Sequence, residues 1–300
     1  MPYYFDTLPV HPKPRQLESL TSYLTRVAEA NEIRQPAWLF SLMQDEAVHG
    51  KRIDIRRLVD NPLQSLGAIA ATVSCNVDEL LATTFYHLAR KFNRPTLPIS
   101  ISQFLAGSVS KHLRYCPSCL AERSYYSLLW RFSVLSGCAD HKNRLLDRCE
   151  HCGYTIPLFA SLLKIGTCPT CKRELQSCRA PSLSRKELLA VRARTRDFAF
   201  LLSPQDFEVK NGVIVKHMGW YLAEMRRRNT KFAAQWFAVE IDAKHSEVIG
   251  IENGHVKRLT AKFQAYVKYA DYFGVSLQDA FTAALSASRD NFEADHLRSD

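Results

Sequence analysis

The sequence predicts a mainly α fold with small β elements, in which helix-turn-helix units flank a tandem cysteine-rich module. Three observations predict it. Apolar residues recur at helical spacing on both sides of a central stretch. Two of these helical segments, 200 residues apart, share one pattern of small and apolar positions. Between them, seven of the nine cysteines crowd into the stretch from Cys116 to Cys171.

Composition narrows the class. With 46% hydrophobic and 23% charged residues the 300-residue chain is globular and long enough for about two or three domains. No apolar run approaches the about 18 residues of a membrane helix. The start, MPYYFDTLPVHP, lacks the basic and apolar regions of a signal peptide. The expected location is cytoplasmic and nucleoid-associated, where thiols stay reduced. That setting and the odd cysteine count argue against a disulfide framework. A net charge of +10 suits a nucleic-acid partner. From Lys111 to Ala180 eleven Lys/Arg face five acids, leaving +6.

The motifs divide the chain into an amino-terminal helical segment (1–105), the cysteine-rich module (106–180) and a carboxy-terminal helical segment (181–300). In the first, Leu17, Leu20, Leu24 and Val27 predict an amphipathic helix over LESLTSYLTRVAEAN. PAWLFSLM predicts another, with Pro36 at its start. Segments beginning at Ile69 and Tyr269 align at Ala70/Ala270, Val73/Phe273, Leu80/Ala280 and Leu81/Phe281. Each has the helix-turn-helix layout. Gly274 supplies the second turn, and Ser276 the N-cap of the helix after it.

The cysteine-rich module reads as four pairs: Cys116/Cys119, Cys138/His141, Cys149/Cys152 and Cys168/Cys171. Two residues between partners let a tight turn aim both side chains at one ion. Zinc takes four nitrogen or sulfur donors in a tetrahedron. Consecutive pairs give two complete sets, with 18 and 15 residues between pairs, the spacings of a tandem double zinc-ribbon or zinc-finger module. An arrangement in which the first and third pairs share an ion stays open. Three Cys-x-x-Cys pairs are too many for a redox site, a zinc deaminase needs an open position and a glutamate base, and His141 is foreign to iron–sulfur ligation. Two structural Zn2+ are therefore expected. Tyr125, Tyr126, Leu129, Trp130 and Phe132 are expected to form a small aromatic core, which a structural zinc worth ~10–16 kcal/mol would stabilise. His151 reads as a surface residue and Cys75 as a small core residue; Cys178 lies outside the pattern.

The second helices of the helix-turn-helix units carry Asp78, Glu79, Gln278 and Asp279 but no Lys or Arg, a poor set for reading bases. Candidate phosphate contacts lie elsewhere: Lys142, Arg144 and Arg148 in the module, Arg226, Arg227, Arg228 and Lys231 beyond it, and Lys257, Arg258 and Lys262. Each group reads equally as a solvated face. SCRAPSLSR reads as a linker, KELLAVRARTRDFAFLL as a helix ended by Pro204, and VKNGVIVKHMGW as a small strand element turning at Asn211-Gly212. No Ser/His/Asp, paired-carboxylate or phosphate-loop arrangement marks an enzyme.

PKPRQLESLTSYLTRVA followed by RYCPSC, LWRF, CADHKNRLLDRCEHCG and CPTC resembles the TniQ/TnsD family of transposon target-selection proteins over roughly residues 7–175. The resemblance implies a non-catalytic adaptor with structural zinc. It implies a target-marking partner, either a guide-RNA effector complex (Cascade-like, as in a CRISPR-associated transposon) or attachment-site DNA. It also implies an AAA+ ATPase, TnsC, that recruits the transposase on double-stranded DNA. A homodimer is compatible with the family, and the segment Leu17–Asn31 is expected near a docking surface. The alternatives are a TnsD-like sequence-specific attachment-site protein and a zinc-ribbon DNA-binding regulator.

Overall fold

The computed structural model describes residues 7–33, 66–92, 101–158, 164–204, 213–254 and 261–296. The expected helix at PAWLFSLM, the Asn211-Gly212 turn, and Lys257 and Arg258 lie outside the described residues. Two compact units form: Met1–His87 with Val109–Pro204, and Leu88–Ser108 with Gln205–Asp300. This grouping by packing follows other lines than the motif-based segments. Helices dominate, and β structure among the described residues consists of isolated bridges. No helix among them is long and apolar enough to cross a membrane.

In the first unit α1 spans Leu20–Ala30. It starts three residues later than the leucine spacing predicts, because Ser19 caps it by accepting from the Ser22 amide (3.3 Å). Leu17 instead holds φ 54° and gives its carbonyl to the Leu128 amide at 2.7 Å. Leu20, Leu24 and Val27 are buried as their spacing predicts, against Ile69, Ala70, Val73 and Leu80. Nearly all of α1 faces inward; Glu29 and Ala30 are its exposed residues. The apolar face of the segment expected near a docking surface is packed inside the unit. Its charged anchor is Glu18, buried and paired with Arg26 at 2.7 Å.

α2 (Leu66–Thr72) and α3 (Val77–Leu81) form the first helix-turn-helix. Asn76 and Glu79 close a capping box at the start of α3. Beyond α4 (Tyr86–Phe92) and the single turn α5 (Ile101–Phe104) come α6 (Pro117–Glu122) and α7 (Arg185–Leu202), α7 opening on a Ser184/Glu187 capping box. The aromatic residues between the first two ligand pairs do not make one local core. Tyr126 and Trp130 pack with the cysteines, whereas Phe132 packs against Phe198 (4.2 Å, tilted) and edge-on against Phe85 (5.3 Å). Tyr125 is only half-buried, under the Arg15 guanidinium.

The second unit contains α8 (Val213–Asn229), α9 (Ala234–Glu240), α10 (His245–Glu252), α11 (Phe263–Phe273) and α12 (Leu277–His296). Residues 213–220, the described part of the stretch expected as a small strand element, are helical. Met218 and Leu222 with Val215 lie on one helical stripe and are buried, and this burial outweighs local propensity. Gly219 permits the crossing of α8 on α10, since a Cβ there would lie 2.0 Å from the Ile251 carbonyl oxygen. α11 and α12 make the second helix-turn-helix. Gly274 turns the chain at φ 64°, and Ser276 Oγ accepts from the Asp279 amide at 3.2 Å. Ile69/Tyr269, Ala70/Ala270 and Leu80/Ala280 are buried in both copies.

Arg226 needs correction as a phosphate candidate. Its side chain is buried, with Nε and Nη2 donating to the two Glu252 oxygens at 2.6 and 2.7 Å and Nη1 to the Phe232 carbonyl at 2.6 Å. Tyr269 donates to the same carboxylate at 2.8 Å. Glu252→Ala would strand a buried guanidinium and should cost about 3–5 kcal/mol, read from urea unfolding. An unchanged midpoint would show that Arg226 is not a structural residue.

Candidate metal centres

Three of the four ligand pairs sit on one repeated turn. The amide of the leading cysteine donates to the carbonyl five residues on: Cys138 to Asn143 (2.8 Å), Cys149 to Tyr154 (2.9 Å) and Cys168 to Arg173 (2.9 Å). Its carbonyl accepts from the amide four residues on, from Lys142, Gly153 and Lys172 at 2.8–3.0 Å. Bridges Gly137–Arg144, Arg148–Thr155 and Thr167–Glu174 close the three loops. The residue after each pair takes a left-handed conformation: Lys142 φ 58°, Gly153 φ 71°, Lys172 φ 63°. That reversal lets residues one and four of the turn face one point. Its sequence signal, a Gly in one copy and Lys in two, is too weak to read in advance. The remaining pair uses a helix start, with Cys116 as N-cap of α6, Pro117 in its first turn and Cys119 two residues on.

The turns bring the donors together in consecutive pairs. Cys116, Cys119, Cys138 and His141 form one cluster and Cys149, Cys152, Cys168 and Cys171 another, with all donor atoms in each within 4.8 Å of one another. In the first, Cys119 Sγ lies 3.5 Å from Cys138 Sγ, and His141 Nδ1 lies 3.2–3.7 Å from the three sulfurs. In the second, the Cys149–Cys171 and Cys152–Cys168 sulfurs are each 3.7 Å apart. A tetrahedral ion with bonds of about 2.3 Å to sulfur has donor–donor edges of about 3.8 Å. Both donor sets fit a metal ion.

Neighbours orient the donors. His141 Nε2 lies 2.7 Å from a Glu122 oxygen, which fixes the ring with Nδ1 toward the sulfurs. Burial disfavours charge on His141, but the Glu122 and Cys138 hydrogen bonds outweigh it and raise its pKa. Thiol hydrogen bonds from Cys119 and Cys138 hold Cys116 well below the ordinary thiol range. Burial pushes Cys149 up to about 12, while the Arg173 amide holds Cys171 down at about 7. Arg123 donates to Cys119 Sγ (3.3 Å) and to Asp140 (2.8 Å).

Both clusters share one core, in which Tyr115, Leu120, Tyr126, Trp130, Leu145 and Leu175 pack around the cysteines. Cys178 is buried there too, beside Tyr115, and Cys75 lies apart, donating to Glu79 at 3.1 Å. His151 is exposed and bonded to Ser177, outside the cluster. SCRAPSLSR is no free linker: Pro181 accepts from the Arg144 amide (2.8 Å) and Leu183 donates to the Lys142 carbonyl (2.7 Å). Of the basic candidates, Lys142 is exposed, Arg144 pairs with Glu187, and Arg148 pairs with Asp147 at 3.1 Å. Arg227, Arg228 and Lys231 are exposed on the second unit.

A comparison with family models matches residues 9–145 to TniQ. No curated protein sequence matches the chain. Residues 9–145 are thus similar to TniQ, a domain of transposition target-selection proteins. The first cluster falls wholly inside this domain and the second follows it.

Glu122, which the sequence did not single out, has a measurable role. Glu122→Ala should weaken the first cluster's metal affinity about 10–100-fold in chelator competition and leave the second unaffected. Equal release rates in variant and parent would show that Glu122 does not set the His141 ring.

Proposed function

We propose that the chain is a non-catalytic target-selection adaptor of a DNA transposon, folded around two structural zinc ions. It would link a target-recognition complex, a Cascade-like guide-RNA effector, to the AAA+ ATPase TnsC, which brings the transposase to double-stranded DNA. One observation carries this reading: a TniQ domain whose donor cluster offers four protein ligands buried in a core. A zinc ion with all four positions filled supplies folding energy rather than an activated water. The motif-based segments 1–105, 106–180 and 181–300 are retained as the functional division of the adaptor.

The helix-turn-helix units support an adaptor rather than an autonomous DNA reader. α3 is five residues long and opens on Asp78 and Glu79, and the first turn of α12 carries Asp279. Carboxylates there repel phosphate. Lys142, Arg144 and Arg148, with Arg227, Arg228 and Lys231, are the proposed phosphate contacts, so any affinity for random duplex should fall steeply with salt.

Two measurements test the proposal. Elemental analysis of the purified chain should find two zinc ions, and Cys149→Ser should lose one and render the module protease-sensitive. A single zinc in the parent would sink the eight-ligand assignment. Footprinting across insertion sites should detect no protection by the chain alone, and ATPase recruitment only with the effector complex. A sharp footprint by the chain alone, at least ~10³-fold above non-specific binding, would instead establish a TnsD-like reader.

A further inference from the structure

The corner between α8 and α9 joins two kinds of exposed side chain. Phe232, Trp236 and Val239 are 42%, 62% and 71% exposed, although each is large and apolar. Phe232 lies in the connection, and Trp236 and Val239 lie three residues apart on one face of α9. Arg227 and Arg228 occupy the last turn of α8, and Lys231 precedes Phe232. Glu224 is the acid facing these cations; it holds Arg228 at 2.6 Å and stands 4.0 Å from Arg227. Lys231 has no ion-pair partner among the described residues.

The corner is rigid. Buried Arg226 grips the Phe232 carbonyl, and the Thr230 hydroxyl donates to the Arg226 carbonyl (3.0 Å) and accepts from the Phe232 amide (3.3 Å). Phe232 is thereby presented by a fixed loop rather than a loose one, which lowers the ordering cost of binding. The contrast with Trp220 is informative. Its ring already carries Lys216 at 4.6 Å and His217 at 5.0 Å, whereas Trp236 has no such cover among the described residues.

We infer that this corner binds single-stranded nucleic acid, with unpaired bases stacking on Trp236 and Phe232 and phosphates meeting Arg227 and Lys231. Flat exposed rings flanked by exposed cations are what an unpaired strand needs: every base has a π-face, and every linkage a charge. A duplex offers its phosphates but keeps its bases stacked inside. An uncharged protein surface would leave the cations without complement. The inference stands apart from the adaptor reading, which rests on the TniQ domain and the metal clusters.

The test uses the full metal-loaded chain and a fluorescent oligothymidylate of about 12 nucleotides, within the usual site range of about 4–16. Trp236→Ala should weaken binding about 5- to 150-fold, since base stacking on an aromatic residue is worth roughly 1–3 kcal/mol. Trp236→Tyr should retain most of it. Removing Arg227 and Lys231 together should lower the salt slope by about 1.4, roughly 0.7 per contact on a single strand. Unchanged affinity in Trp236→Ala, no binding by the parent, or equal competition by a duplex of the same length would each overturn the inference. So would a Trp236→Ala variant that lost self-association in sedimentation but kept its oligonucleotide affinity, because the patch would then face protein.

Discussion

The first unit is organised by one demand: seven sulfurs and one imidazole nitrogen must converge on two points inside a single apolar core. Sulfurs 3.5–3.7 Å apart leave no room for side chains between them, so backbone turns must supply the convergence. The three repeated loops do so with the same two hydrogen bonds each. Everything around them then serves as a wall. Tyr126 joins the walls: its amide donates to Ser22 Oγ (2.8 Å), its carbonyl accepts from the Ser19 amide (3.0 Å), and its hydroxyl accepts from the Gly166 amide (3.1 Å). One buried residue thus ties the start of α1 to the stretch leading into the last ligand pair. Glu29 repeats the tie at the other end of α1 by accepting from the Ile165 amide at 2.6 Å. Partial desolvation of its carboxyl raises the Glu29 pKa, against the pull of that amide.

The second unit meets its demand without soft donors. Its interior is aromatic: Phe92, Phe104, Phe263 and Tyr266 cluster with centroids 5.1–5.8 Å apart, and Phe237 packs against Tyr269, Tyr272 and Phe273. A charged pair inside such a core is costly unless its hydrogen bonds are complete. Arg226 and Glu252 come close to that standard, with Tyr269 and the Phe232 carbonyl as further partners. The same side chain that looked like a phosphate contact therefore sets the angle of the corner that exposes Phe232 and Trp236.

The ligand pairs were legible because two-residue spacing is a local property that survives folding. So were the helix-turn-helix units, since Gly274, Ser276 and the buried alanines act within one turn of themselves. What failed to read was non-local. Leu17 fits the helical spacing of α1, yet its carbonyl is claimed by Leu128, over a hundred residues away, and Ser19 starts the helix. Val213 to Val215 favour a strand locally, but α8 buries a helical stripe. SCRAPSLSR has a linker's composition, yet its backbone pairs with the loop around His141. Arg226 cannot be told from Arg227 and Arg228 in sequence; helical phase and Glu252 separate them. Glu122 reads as an ordinary surface acid until α6 brings it to His141.

The extent of the TniQ match adds a last constraint. It ends at Leu145, yet Leu145 is buried in the core that both clusters share, and Leu146 packs against it. Across that boundary Tyr115 donates to the Arg148 carbonyl (2.9 Å), its backbone pairs with Leu146, and the Leu113 amide donates to Ile156 (2.9 Å). The residues after 145 are therefore not an appended module resting on a finished domain. They belong to the core that holds the first cluster, while α1, near the start of the match, is tied by Glu29 to Ile165 in the stretch before the last ligand pair. The matched segment and the second cluster are one cooperative body, and a change at either cluster has a short path through Tyr115 or Tyr126 to the other.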